Sequence, residues 1–360
     1  MKGLILAGGH GTRLWPITYT KAKQLIPVAN KPILFYCIED MKNAGIEDIA
    51  VIVGHTPERI KSVKDAVGDG SRWGVRITYI EQDAPRGIAH AVMLSKDFMG
   101  NEPFVLYLGD NLLKGGIRDF VSKFGSSPAE AAIMLTEVDD PSRYGIAGVM
   151  EGKVIKLVEK PKPSEAPSNL GIVGIYAFRK SIFDIIAGLK PSWRNELEIT
   201  DALQQIIERN HAVDASMVRG WWKDTGKPED IIEANRLVLD DIKQEINGIV
   251  EDRAVVRGKV SIGEGSVVKS GSKIDGPAII GKNCVIGPDT YIGPYSSIGD
   301  GCKIVGGEVD SSVVFSNCNI SCKERITNSL VGANTTISPK HCSTPQALKI
   351  VVGENSNLCV

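Results

Sequence analysis

Three glycines and two cations near the start of this chain have the types and spacing to hold phosphate. Gly8, Gly9 and Gly11 follow the apolar run Gly3–Ala7; Arg13 comes two residues after Gly11 and Lys23 ten after that. Glycine lets a backbone turn tightly enough to set its N–H groups against an oxyanion. Arginine adds a planar fork and lysine a point charge. Two better-known phosphate loops do not fit. No Lys-Ser or Lys-Thr follows Gly11, and Leu14 stands where a dinucleotide fingerprint needs its third glycine. Asp110 is a different chemical group: it follows an apolar run, inside Gly109-Asp110-Asn111, where a carboxylate at a strand end suits a hard cation. The five histidines have no spacing of a triad or metal site. Cys318, Cys322, His341 and Cys342 are disfavoured as a zinc set by the wide last gap and by the repeat around them.

The elements that must position these groups alternate between short apolar runs and helical patterns up to about residue 245, which predicts βαβ units and a mainly parallel α/β sheet with helices on both faces. Strands are expected at Leu4–Ala7, Ile49–Val53, Val75–Ile80, Phe104–Leu108 and Gly171–Phe178. Helices are expected over Lys31–Ala44, from Thr56-Pro57, from Gly87, and finally over Pro228–Ile246. Gly8–Arg13, Gln82 and Asp110 then fall at carboxyl ends of strands, where an open sheet of this class binds its ligand. Pro161–Ser168 reads as an exposed loop.

Beyond Asn247 the period changes. Val256, Ile262, Val268, Ile274, Ile280, Ile286, Ile292, Ile298 and Ile304 recur every six residues, with Gly following several of them. A repeat of this length builds a parallel β-helix, here resembling the left-handed hexapeptide family. Two residues before each aliphatic stands a small residue, including Cys284 and Cys302, expected to stack inside. The slip after Ile304 predicts an inserted loop near Gly306–Asp310. The expected domains are therefore 1–246 for the chemistry and 247–360 for the repeat. On that division, removing the repeat should leave activity measurable while lowering the oligomer mass, and the protein is expected to be a homo-oligomer.

The motif Gly8-Gly9-x-Gly11-Thr12-Arg13-Leu14-x-Pro16 with Lys23-Gln24-Leu25-x-Pro27 resembles the sugar-1-phosphate nucleotidyltransferases, specifically the long-form glucose-1-phosphate thymidylyltransferases. Gln82–Ala91, Leu108–Asn111, Val158–Pro161, Arg194–Asp201 and Trp222–Gly226 continue the resemblance in the family's order. It implies Mg²⁺-dependent transfer of a nucleotidyl group from dTTP to glucose 1-phosphate, giving dTDP-glucose and pyrophosphate. The alternative is the same reaction with UTP and glucose or N-acetylglucosamine 1-phosphate, with an acetyltransferase in the repeat; that addition is disfavoured because His341 is the one histidine after His211. The resemblance makes Arg13, Lys23 and Lys160 catalytic, and assigns Leu6, Ala7, Gly8, Gly9, Gly11, Thr12, Gln82, Pro85, Gly87 and Asp110 to the nucleotide. It assigns Gly145, Glu159, Lys160, Val173, Arg194 and Glu196 to the sugar phosphate, and gives the metal to Asp110 and Asp224. Two departures bear on specificity: Asn195 replaces a usual Gly, and Arg86 sits in the base loop. Trp221-Trp222 reads as packing rather than a sugar platform.

Composition agrees with an enzyme of this size. In 360 residues, 42 Lys+Arg face 43 Asp+Glu for a net charge of −1, so no global field would hold a polyanion and nucleic acid is not an expected partner. The N-terminus has no signal-peptide pattern and no apolar stretch reaches membrane-spanning length, which predicts a cytoplasmic protein without a membrane partner. Seven cysteines in that setting are expected as thiols.

Overall fold

The computed structural model describes residues 1–9, 11–54, 56–338, 347–348 and 350–359. His341 and Cys342 lie outside the described residues. The chain packs as two compact units: residues 1–10 with Ile33–Asp224, and Gly11–Pro32 with Thr225–Val360.

A nine-stranded sheet forms the first unit, in the order Arg76–Glu81, Asp48–Val53, Lys2–Ala7, Phe104–Leu108, Leu170–Phe178, Ala131–Glu137, Val213–Met217, Lys153–Glu159, Gly145–Met150. The first four are parallel. Leu170–Phe178 runs antiparallel to both neighbours, so the second half is mixed. The chain builds outward from Lys2–Ala7 and then returns to its other side at Phe104–Leu108. That reversal is a switch point, and it leaves a crevice beyond the carboxyl ends of these two strands. Leu4, Ala50, Ile52, Phe104 and Leu106 are fully buried, as the near-continuous apolar runs require of parallel strands covered on both faces.

The repeat forms three parallel sheets of seven, seven and six strands among the described residues, each coil pairing with the next. From Val260 to Cys302 the small and aliphatic columns point inward as expected, and Ile262, Val268, Ile274, Ile286, Ile292, Ile298 and Ile304 are all fully buried. Polar members of the small column bond to the next coil. Ser266 Oγ donates to the Gly281 carbonyl at 2.7 Å and accepts from the Cys284 N–H at 2.8 Å. Cys37, Cys284, Cys302, Cys318 and Cys322 are buried free thiols. The last helix is shorter than expected. It ends at Leu239, and Glu245–Ile246 is already a strand paired with Val260–Ile262, so the repeat begins before residue 247. The slip after Ile304 is also not an insertion. Val309 takes the place of an aliphatic five residues on and pairs with Ile292, while Val314 pairs with Ile298, so each step drops one residue.

The division also differs from the expected one in where Gly11–Pro32 belongs. Asn235, fully buried on helix Pro228–Leu239, accepts from the Ala29 N–H at 2.8 Å and from Ser297 Oγ at 2.7 Å, and donates to the Tyr295 carbonyl at 3.0 Å. Asn30 Nδ2 donates to the Ile298 carbonyl at 2.6 Å. A buried amide must satisfy its donors and acceptors, and this one does so by tying loop, helix and repeat together. Among the described residues no helix is long and apolar enough to cross a membrane.

Candidate active site

At the switch point, Gly8 and Gly9 leave Lys2–Ala7, and the Gly109 N–H donates to the Leu6 carbonyl at 3.0 Å, setting Asp110 beside them. Leu6 and Ala7 are strand residues, Ala7 buried. Gln82 follows Arg76–Glu81, is buried, and lies across Gly8: a Cβ on Gly8 would stand 2.6 Å from Gln82 Oε1. Glycine is thus required there by contact. On its other side, Gln82 Nε2 lies 3.4 Å from His90 Nδ1, and His90 Nε2 is 3.4 Å from Asp83. The His90 ring can accept from Gln82 through Nδ1 and donate to Asp83 through Nε2. Arg86, the unusual residue of this loop, is ion-paired with Asp83. Pro85 is exposed. Gly87 has φ 102°, and a Cβ there would meet the Leu197 carbonyl oxygen at 2.4 Å. The backbone of Leu197 bonds to Arg86 and Ala89, so the loop before residue 88 and the Arg194–Asp201 segment are locked together.

Strand pairing brings together the chain segments that carry the two acids. Trp222–Asp224 runs antiparallel to Asn111–Leu113, with Asp224 opposite Asn111, one residue from Asp110. Asn111, buried, donates from Nδ2 to Asp110 at 2.9 Å and accepts from Trp222 Nε1 at 2.7 Å. Trp222 also packs edge-on against Tyr144, with ring centroids 5.6 Å apart. Its indole thus fixes the amide that contacts Asp110. Among the described residues no group of three or more His, Cys, Asp or Glu gathers as a metal cage. Two carboxylates fit a small hard cation that keeps its waters and shares substrate phosphate oxygens.

A guanidinium ringed by carboxylates gathers the residues that the sequence suggested for the sugar phosphate. Arg194 lies 3.5 Å from Glu159, 3.1 Å from Glu196 and 3.3 Å from Glu198. Lys160 Nζ is 3.9 Å from Glu159, whose other oxygen accepts from Thr200 Oγ1 at 3.1 Å. Burial, then the nearby Glu198 charge, holds the Glu159 carboxyl above its usual range, against the opposing pull of Lys160, Thr200 and Arg194. Strand register sets Gly145 opposite Glu159, and a Cβ on Gly145 would stand 2.7 Å from Thr200 Cγ2. Val173 is fully buried in the sheet. Lys160 has φ 43°, a region L residues seldom occupy, and its N–H donates to the Tyr144 carbonyl at 3.0 Å. Asn195, in place of a usual glycine, has φ 59°, which asparagine tolerates better than most residues.

The cation loop lies in the second unit. Gly11 has φ 65° and starts the short 3₁₀ turn Thr12–Leu14, leaving Thr12 and Arg13 exposed and Leu14 buried. Thr18 Oγ1 donates to the Gly11 carbonyl at 2.7 Å, and a Cβ on Gly11 would be 3.1 Å from Lys23 Cβ. The loop therefore folds back so that Lys23 returns against Gly11. Sequence reasoning passed over Asn111, Thr200, Glu198 and His90 as site residues, although each lies inside or beside a motif. Asn235 had one signal, a polar residue within the buried face Ile231, Ile232, Ala234 and Leu239.

Acids on paired strands at a switch point and an amide laid over a glycine turn suit an enzyme that handles phosphates. Comparison with known proteins makes the class specific. The nucleotidyl transferase family model matches residues 2–241, and that of the GMPPB C-terminal domain matches 272–357. The chain is 47% identical over 359 residues to the low-salt glycan biosynthesis nucleotidyltransferase of Haloferax volcanii. It is 45% identical over 361 residues to the glucose-1-phosphate thymidylyltransferase of Streptomyces antibioticus. Both alignments span 99% of each chain. A crystal structure described as a glucose-1-phosphate thymidylyltransferase from Bacillus anthracis, in complex with a sucrose, aligns with TM-score 0.62 and 39% identity, covering 68% of this chain and 97% of that one. The chain belongs to the sugar-1-phosphate nucleotidyltransferases and is a nucleotidyltransferase.

Proposed function

We propose that the protein transfers the nucleotidyl group of dTTP to glucose 1-phosphate, releasing pyrophosphate and forming dTDP-glucose. A phosphate oxygen of the sugar substrate forms a bond to the α-phosphorus as the bond to the pyrophosphate oxygen breaks, and no protein nucleophile is needed because that oxygen is already anionic. The observation that carries the reading is the pairing of Asp224 opposite Asn111, the residue after Asp110, which supports a shared role for the two acids. These two acids would hold Mg²⁺, which when bound supplies charge neutralisation at the phosphates. Lys160 and Arg194 bind the sugar phosphate, displacing the carboxylates that now face them. Glu159 and Gly145 border the sugar, Gln82 selects the pyrimidine through its two-way amide, and Arg13 and Lys23 hold the triphosphate. The Streptomyces relative, matched end to end, supports thymidylyl transfer in particular. Pyrophosphate release over a panel of triphosphates and sugar 1-phosphates tests the proposal. The expected optimum is dTTP with glucose 1-phosphate, and a higher kcat/KM with UTP would replace it. The repeat unit is read as the oligomerisation module of a homo-oligomer, which light scattering on the full-length protein checks.

Two results follow for single residues. Arg13→Ala should raise KM for the triphosphate more than for the sugar phosphate, and Lys160→Ala should do the reverse; each loss of a charge-assisted contact is worth about 1.5–3 kcal/mol, or roughly 10- to 100-fold. Equal effects on both substrates from both variants contradict the assignment. His90→Leu should raise KM for the triphosphate about 2- to 10-fold with little change in kcat, because Gln82 loses one neutral hydrogen bond that holds its amide. His90→Gln, which keeps an acceptor, should recover most of that loss in the same steady-state measurement.

A further inference from the structure

A cavity of about 380 Å³ lies within the second unit, where the segment from Ile17 to Pro32 crosses one corner of the β-helix. None of the residues assigned to the transfer reaction lines it. Its size is at the small end of ligand pockets. The loop contributes an apolar wall of Ile17, Leu25, Ile26 and Pro27, and the repeat contributes Phe315. Its polar lining is rich in acceptors. Asn30 spends its Nδ2 on the Ile298 carbonyl, while its Oδ1 is buried with no hydrogen-bond partner. Asp300 and the corner residues Asn317 and Asn334 stand around the mouth.

Charge decides what such a cavity can take. Among the described residues Lys21 is its one lining cation, and Glu354 holds it at 2.7 Å while also accepting from Thr20 at 3.2 Å. With Asp300 as a second carboxylate, the lining carries one positive and two negative charges, which disfavours a phosphate. An apolar wall facing one unpartnered acceptor, Asn30 Oδ1, and the exposed polar side chains of the rim suits a ring with hydroxyl donors on its edge and C–H groups on its face. A buried acceptor left without a donor is costly, and a hydroxyl at Asn30 would recover that cost.

We propose that this cavity binds the uncharged, hydroxyl-rich ring of a sugar and thereby restrains the loop that carries Arg13 and Lys23. Lys21, Ala22 and Leu25 line the cavity on either side of Lys23, and Thr18 and Lys23 close on Gly11. An occupant therefore holds the short segment that contains Lys23 and follows directly on the turn that carries Arg13. The link to turnover rests on the roles given to Arg13 and Lys23 above; the binding does not.

Hydrogen exchange of the segment 17–32 in the full-length protein tests the proposal, with free D-glucose, dTDP-glucose and inorganic phosphate as separate probes. Ala333→Phe, which places a ring in the cavity from the repeat side without removing a hydrogen bond, is measured in parallel. Slowed exchange with D-glucose in the wild type, absent in Ala333→Phe, establishes a site for free sugar. Slowed exchange with dTDP-glucose alone, again lost in Ala333→Phe, assigns the site to the sugar end of a nucleotide sugar. No change with either sugar, a change that survives Ala333→Phe, or stronger protection by phosphate overturns the proposal. With the effective sugar present, KM for the triphosphate should shift at least about fivefold in the wild type and stay constant in Ala333→Phe. Protection without that kinetic shift would keep the site and remove only the roles of Arg13 and Lys23.

Discussion

Asp110→Asn and Asp224→Asn are each expected to lose about 10²–10³-fold in kcat while the thermal transition of the protein stays within a few degrees of the wild type. The substitution removes charge at constant volume, so packing is preserved. A hard cation shared between two carboxylates and substrate phosphates supplies several kcal/mol of charge stabilisation, and each 1.36 kcal/mol is tenfold in rate. The two losses should be alike, since the register sets Asp224 opposite Asn111, the residue after Asp110. Steady-state pyrophosphate release, beside Mn²⁺ binding followed by its paramagnetic signal, separates the possibilities. Either variant with near-normal turnover and unaltered metal binding would strike that residue from the metal site.

Removal of residues 247–360 is expected to abolish turnover, against the expectation from sequence that the repeat could be deleted. The physical reason is the placement of Gly11–Pro32. Truncation takes away Ser297 and Ile298, which help to hold Asn235 and Asn30, and Glu354, which holds Lys21. The segment bearing Arg13 and Lys23 then loses its polar anchors together with the wall formed by Phe315. The first unit keeps its own sheet core, so circular dichroism of the fragment should still report a folded α/β protein. A full-length counterpart is Asn235→Ala. It strands the Ala29 N–H and the Ser297 hydroxyl, at a cost of about 2–4 kcal/mol, and should raise KM for the triphosphate before it affects the sugar phosphate. A truncated protein within tenfold of wild-type turnover would show that the loop holds its shape without the repeat.

Much of the candidate site was legible because its parts are local. A glycine turn after an apolar run, an acid at a strand end and a cation beside a proline depend on residues within a few positions of one another. Their order along the chain then carried the family resemblance. Less legible was everything that depends on pairing. Nothing in Asn111 or Trp222 announces that an indole N–H orients the amide beside Asp110, and nothing in His90 announces that its ring faces Gln82. Asn195 is intermediate: the substitution is visible in the sequence, but only its φ of 59° explains why asparagine can stand there.

By itself the sequence determined the class of each half and its chemical repertoire. The βαβ alternation and the six-residue period are short-range patterns, and a period of that length has few ways to bury its aliphatic column. The tertiary structure decided how the chain is apportioned. The Ala29–Asn235 and Asn30–Ile298 hydrogen bonds join residues 206 and 268 positions apart, and they assign the phosphate loop to the repeat's unit. Likewise, Val309 and Val314 each close a coil one residue early because inter-coil pairing, rather than the count along the chain, fixes which aliphatic points inward. Hydrogen-bond satisfaction of buried groups acts across any separation in sequence, and no local pattern encodes the partner.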